Sequence, residues 1–146
     1  MGVIYVVRPL DHEIAHWLSG QGVDCPSGQW GRDPTLAEVR AVLGDISDVR
    51  YHQTVGGATG GWLIDVMHRT DPAKGRWTSI RSSGGAADRA PIAFYKGWSD
   101  LVVEIVHGLS ARTGPLVVFP DTGSTPLPIW AARPLADALS IVQAEW

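Results

Sequence analysis

The sequence predicts an α+β fold, in which an antiparallel β-meander of four to six strands packs against one long helix, 97–112. The helix follows from one apolar stripe at helical spacing. The meander follows from four β-patterned segments whose connections are too short for parallel crossovers. Two N-terminal helices and a C-terminal helix complete the prediction. The stripe consists of Trp98, Leu101, Val102, Ile105 and Leu109.

The N-terminal third predicts a strand and two helices. Val3–Val7 is predicted to be a short apolar strand. Asp11 has the side chain of a helix N-cap for a first helix that is expected to end near Gly20 or Gly22. Asp33 is expected to cap the second helix, with the following proline at its first helical position. Gly44 is expected to end that helix.

Four segments predict the strands of the meander, and glycine-rich loops join them. In the second segment Trp62, Ile64 and Val66 alternate with other residues, so they are expected to face the core. Gly56–Gly61 connects two strands and has no helix after it, which favours a hairpin loop over a phosphate-binding loop. The four segments are Val49–Val55, Trp62–Arg69, Arg76–Ser82 and Ile92–Tyr95.

The C-terminal part predicts one more buried strand and a final helix. Gly114 and Pro115 stop the long helix, and Leu116–Phe119 has the content of a buried strand. Pro134 begins the last helix, which carries an apolar side. At 146 residues, without a linker or repeat, the chain is predicted to be a single domain, 1–146.

Composition narrows the classes of function. Hydrophobic residues make up 45% and charged residues 18%, as in ordered globular proteins. The net charge of −3 argues against direct binding of nucleic acid. No apolar run approaches the ~20 residues that span a membrane, and Met1–Arg8 does not have the pattern of a signal peptide. Cys25 is the single cysteine, so a cytoplasmic location without internal disulfides is expected, and no cofactor is predicted.

One segment matches a metal-binding motif. His12-Glu-Ile-Ala-His16 has the H-E-x-x-H pattern, in which two histidines share a zinc ion and the glutamate activates water. Glu38 would be the third ligand. At 100° per residue, however, the histidines lie opposite the expected buried face of their helix. We therefore expect both to be exposed and free of metal, with a small zinc-dependent hydrolase as the alternative function. That buried face comprises Ile14, Trp17 and Leu18.

A second short motif resembles part of a protease site. Asp121-Thr-Gly123 matches the triplet of aspartic proteases, but those enzymes need two copies to share a proton, and this chain has one. Asp121 is therefore expected to hold the backbone of its loop. Cys25 with a histidine is a conceivable nucleophilic pair, but its local sequence matches no cysteine-enzyme signature.

The longest motif lies between Phe94 and Leu127: F-Y-K-G-W-x-D-L-x-x-x-I-x-x-x-L-x-x-x-x-G-P-L-V-V-x-P-D-T-G-x-x-P-L. This segment resembles small immunity proteins that accompany bacterial polymorphic and contact-dependent toxins, and the likeness extends loosely over residues 35–130. The resemblance implies a cytosolic, non-enzymatic protein that binds and blocks one cognate toxin domain, such as a nuclease or a deaminase.

Charge distribution suggests where such a toxin would bind. Residues 1–50 carry four arginines against seven acidic residues, and toxic nucleases and deaminases are often basic, so the acidic end would steer the partner. Seven tryptophans add candidate anchors. The predicted toxin-binding residues are Asp11, Glu13, Trp30, Asp45 and Asp48.

Overall fold

The computed structural model of the chain describes residues 2–47, 49–55, 60–68 and 77–146, with backbone alone at residues 55 and 68. The predicted residue Asp48 and most of the loops 56–61 and 70–75 lie outside these ranges. In chain order the elements are β1 (Ile4–Pro9), α1 (His12–Gly20), α2 (Leu36–Asp45), β2 (Val49–Val55), β3 (Trp62–His68), β4 (Trp77–Ser82), β5 (Ile92–Tyr95), α3 (Ser99–Thr113), β6 (Leu116–Pro120), β7 (Leu127–Ile129) and α4 (Leu135–Glu145).

The strands of the described chain form one antiparallel sheet in the order β2-β3-β4-β5-β1-β6-β7. The predicted α+β class is confirmed, and so is the meander, which corresponds to β2 through β5. The sheet is larger than predicted. β1 inserts between β5 and β6, where Tyr5 is aligned with both Phe94 and Pro120, and β7 was not predicted because it has only three residues, one of them Pro128.

Three helices cover one face of the sheet. Alternate strand residues, such as Val7, Ile64 and Phe94, are buried against α2, α3 and α4 and form the main core. The helical stripe of α3 is fully buried from Leu101 through Leu109, as predicted. Burial of these large apolar side chains is the main source of stability, at roughly 1.5–3 kcal/mol for each.

Two details of the predicted helix starts are wrong. Trp98 is 44% exposed, because it occupies the extended N-cap position of α3 and the helical spacing begins after it. Thr35 caps α2 in place of Asp33: its side chain accepts a hydrogen bond from the Glu38 N–H, and Glu38 reaches back to the Thr35 N–H. This reciprocal box satisfies two backbone donors, so the T-x-x-E pattern determines where the helix begins.

A tight turn links β5 to α3. Lys96 and Gly97 both have positive φ angles, of 60° and 97°. A side chain at Gly97 would overlap the carbonyl oxygen of Trp77, which accepts a hydrogen bond from the Trp98 N–H. The glycine therefore permits the close approach of two backbones that brings α3 over the sheet. No helix within the described ranges is long and apolar enough to cross a membrane.

Candidate functional site

The short helix α1 packs on the face of the sheet opposite the three other helices. Asp11 caps it as predicted, since its carboxylate accepts a hydrogen bond from the Ile14 N–H at 2.8 Å. Its fully buried residue is Leu18, which packs with Leu10 and Val117 in a second, smaller core. With nine residues, α1 packs on the part of this face formed by β1 and β6.

A groove of about 340 Å³ runs between α1 and the sheet. Val6 and Phe119 form its floor, as aligned neighbours on β1 and β6. Its remaining lining residues come from the two elements on its sides: Arg8, Glu13, Ile14 and Trp17. We call this concavity the α1 groove. It is apolar in the centre and carries one cation and one carboxylate.

Trp17 is the most exposed aromatic residue of the α1 groove. Its ring lies 6.3 Å from that of Phe119, and 48% of its surface is accessible. The predicted burial of Trp17 is wrong: Leu18 is the fully buried residue of α1, Ile14 and Ala15 are partly buried beside it, and Trp17 lies further out. A second depression of about 370 Å³ lies beside the same two rings, towards Gly123 and Pro126. Trp17 therefore lies between two concavities.

The two motif histidines are on the exposed side of α1, as predicted. The ring of His12 lies 4.1 Å from the ring of Trp30, and Trp30 is 43% exposed. The predicted anchor Trp30 thus contacts the first residue of α1, His12, which directly precedes Glu13 in the chain. His16 is exposed one turn further along.

The third residue of the alternative metal site is engaged elsewhere. Glu38 accepts two hydrogen bonds of 2.7 Å from Arg32, and it also accepts the Thr35 N–H. The Arg32 guanidinium is the main reason that the pKa of Glu38 falls to about 2. Within the described ranges, no group of three histidine, cysteine, aspartate or glutamate side chains is arranged to hold a metal ion.

The structure separates the acidic residues that the sequence predicted as one binding set. Glu13 borders the α1 groove, and the Asp11 carboxylate is occupied by its capping role. Asp45 lies at the end of α2, in the helical layer on the other side of the sheet, 3.7 Å from Arg112. One continuous acidic surface is therefore not formed by these three residues, and Asp48 is outside the described chain.

The face of the sheet that carries α1, which we call the open sheet face, bears all aspartate and arginine side chains of the described strands. Each alternates with a core residue: Arg8 follows Val7, Asp65 follows Ile64, and Arg81 follows Ile80. In register, Arg50 is aligned with Met67, and Met67 with Trp77, so these three form one row across β2, β3 and β4.

Two contacts order the centre of the open sheet face. Ser79 donates a hydrogen bond of 2.9 Å to an oxygen of Asp65 on the neighbouring strand. The guanidinium carbon of Arg81 lies 4.4 Å from the centroid of the Tyr95 ring, a cation–π arrangement. Trp77 and Met67 are each more than one-third exposed beside them. The face thus presents arginine, tyrosine, tryptophan and methionine side chains in a fixed arrangement.

Asp121 and Cys25, the two other candidate side chains from the sequence, lie in surroundings that favour structural roles. Asp121 accepts the Ile4 N–H at 3.1 Å, and its own N–H donates to the Ile4 carbonyl, so it extends the pairing of β1 with β6 as a structural residue. Cys25 is half-buried, and burial is the main cause that raises the pKa of its thiol, with Asp24 adding to the effect. A raised pKa disfavours the reactive thiolate.

Sequence reasoning missed most of these surface residues, including Val6, Phe119, Arg81 and Tyr95. The available signal was strand alternation: an apolar or aromatic residue at an outward position of a half-buried strand marks an exposed patch. The location of β1 inside the sheet was needed to bring Val6 beside Phe119.

No protein-family model matches the chain, and no curated protein matches it.

Proposed function

We propose that this protein is an immunity protein, which binds a cognate bacterial toxin domain and occludes it without catalysing a reaction. The observation that carries the proposal is the α1 groove, where Trp17 projects 48% exposed beside Phe119 and Val6. Large aromatic side chains next to an apolar concavity are typical anchors of protein interfaces. Exposed apolar patches of this kind support a binding role.

The residues around the groove fit a protein partner of defined orientation. Arg8 and Glu13 border it with opposite charges, and the exposed ring of Trp30 lies at the start of the same helix. In the proposed complex an apolar side chain of the toxin fills the groove, while Glu13 pairs with a basic group at its rim. Rim charges of this kind mainly affect the association rate and its dependence on salt.

Asp45 has a separate part in the proposal. It is exposed in the helical layer and therefore acts on the long-range field that steers a basic toxin, away from the groove. Asp11 contributes through its charge at the start of α1, but its main role is to cap that helix.

The proposal is tested by measuring the affinity of the purified protein for the toxin domain encoded beside it. We expect a one-to-one complex, weakened at least about 30-fold by Trp17→Ala, since a hot-spot residue contributes about 2 kcal/mol or more. Gln143→Ala, at an exposed position of α4, is the control and should bind like the parent. Both variants must retain the parent melting temperature. Absence of any complex with the parent protein would refute the proposed function.

A further inference from the structure

The charged residues of this fold are divided between its two layers. Counting Asp, Glu, Lys and Arg in the described elements, the strands carry three arginines and one aspartate, all on the open sheet face. Helices α2, α3 and α4 carry two arginines and six acidic residues: Glu38, Asp45, Asp100, Glu104, Asp137 and Glu145. The net charge of −3 therefore conceals a locally basic sheet face.

The basic character is concentrated away from the α1 groove. Arg8 interacts electrostatically with Asp33 and shares the groove with Glu13, so its charge is balanced. Arg50 and Arg81, in contrast, have no carboxylate partner within the described ranges. The carboxylate of Asp65, on the strand between theirs, accepts the hydroxyl of Ser79.

We propose that the Arg50–Arg81 half of the open sheet face binds a carboxylate-rich segment of the protein partner. This inference rests on the proposed function, because it concerns the chemistry of the same partner. The guanidinium carbon of Arg81 lies 4.4 Å from the centroid of the Tyr95 ring. A guanidinium group held in this way can still form a two-pronged pair with a carboxylate. Arg50 has Met67 and then Trp77 beside it in the same row.

The composition of this surface indicates a protein and not a nucleic acid. Arginine, tyrosine, tryptophan and methionine are the residue types enriched in protein interfaces. The Tyr95 ring is occupied by Arg81 and is therefore not open to a stacked base.

The sheet geometry sets the spacing of the carboxylates. Arg50 and Arg81 lie two strands apart and four residues apart along the strand direction, since Arg50, Met67 and Trp77 are aligned. With about 4.8 Å between strands and about 3.3 Å per residue, their Cα atoms are roughly 16 Å apart. An extended partner segment spans that distance in about five residues.

Binding of carboxylates to this half of the open sheet face is tested by nuclear magnetic resonance, in a titration with acetylated octaglutamate at low salt. We expect saturable shifts of backbone amides in β2 through β5 and of the Trp77 indole N–H. Arg50→Gln and Arg81→Gln together should weaken binding at least tenfold. The matched control is Arg40→Gln on α2, which should leave the titration unchanged. Octalysine should shift amides of α2, α3 and α4 instead.

Three results would overturn the inference: no shift on the sheet face, equal octaglutamate binding by the double variant, or tighter binding of a twelve-residue oligothymidylate that quenches tryptophan fluorescence. The toxin domain separates this inference from the proposed function. If the parent and the double variant bind the toxin equally, the inference fails and the function stands. If the parent does not bind the toxin, the function fails, and the octaglutamate titration still determines the chemistry of the face.

Discussion

Arg32 and Glu38 form a two-pronged ion pair in which both terminal guanidinium nitrogens lie 2.7 Å from the carboxylate oxygens. The same arginine donates to the carbonyl of Arg112 at the end of α3, and the same glutamate completes the capping box of α2 with Thr35. The pair therefore ties the loop before α2 to the end of α3. Glu38, which the sequence offered as a third metal ligand, is therefore the centre of a structural network.

Glu38→Gln is expected to lower the free energy of unfolding by about 1–3 kcal/mol, because it removes charge-assisted hydrogen bonds and weakens the capping box. Denaturant unfolding at pH 7 measures the effect. Glu145→Gln, an exposed residue in the last turn of α4, serves as the control and should change stability by less than about 0.5 kcal/mol. Equal stability of the two variants would contradict the assigned role.

The contribution of Glu38 should also depend on pH. Its folded-state pKa, about 2, lies below the ordinary value of 4.5, so its stabilising effect is fully present above pH 4.5 and is lost as pH falls towards 2. The stability difference between the parent and Glu38→Gln should thus shrink steadily between pH 5 and pH 2.5. Denaturant midpoints across this range measure it, and a difference that stays constant would refute the pairing.

Gly97→Ala should be strongly destabilising, by at least about 2 kcal/mol, because the added methyl group meets the Trp77 carbonyl at a positive φ. The matched substitution is Gly44→Ala in α2, where nothing lies within 4 Å and alanine is the better helix former. Thermal melting compares the two. Similar melting temperatures would show that the turn before α3 tolerates a side chain.

Local sequence patterns predicted where helices and strands form. They could not predict which strands pair with each other, because that depends on long-range contacts. The stripe from Leu101 to Leu109 and the alternation around Ile64 each reflect burial of one face, so they identified α3 and β3 correctly. No local signal shows that β1 pairs with both β5 and β6, since that depends on contacts between residues 85 to 115 positions apart.

The candidate site was harder to predict for the same reason. Trp17 satisfies the helical period of a buried residue, but a single short helix on this face fully buries Leu18 and leaves Trp17 48% exposed. Arg81 and Tyr95 are ordinary strand residues in the sequence, and only strand register brings them together. The acidic set failed to form one surface because Asp45 and Glu13 lie on different sides of the sheet.

His12 and His16 are expected to be free of metal, since the ring of His12 packs on Trp30 and Glu38 is paired with Arg32. Elemental analysis of protein purified without chelators should find zinc far below one equivalent. Stoichiometric zinc that disappears in both His12→Ala and His16→Ala would support the zinc hydrolase instead.

Survival of cells that produce the neighbouring toxin tests the central proposal most directly. Cells that also make this protein should survive, whereas Trp17→Ala should protect them less at equal levels of folded protein. Gln143→Ala should protect fully, because its position on α4 lies outside the groove. If the toxin kills cells that contain abundant, folded parent protein, the account of this chain as a toxin inhibitor is wrong.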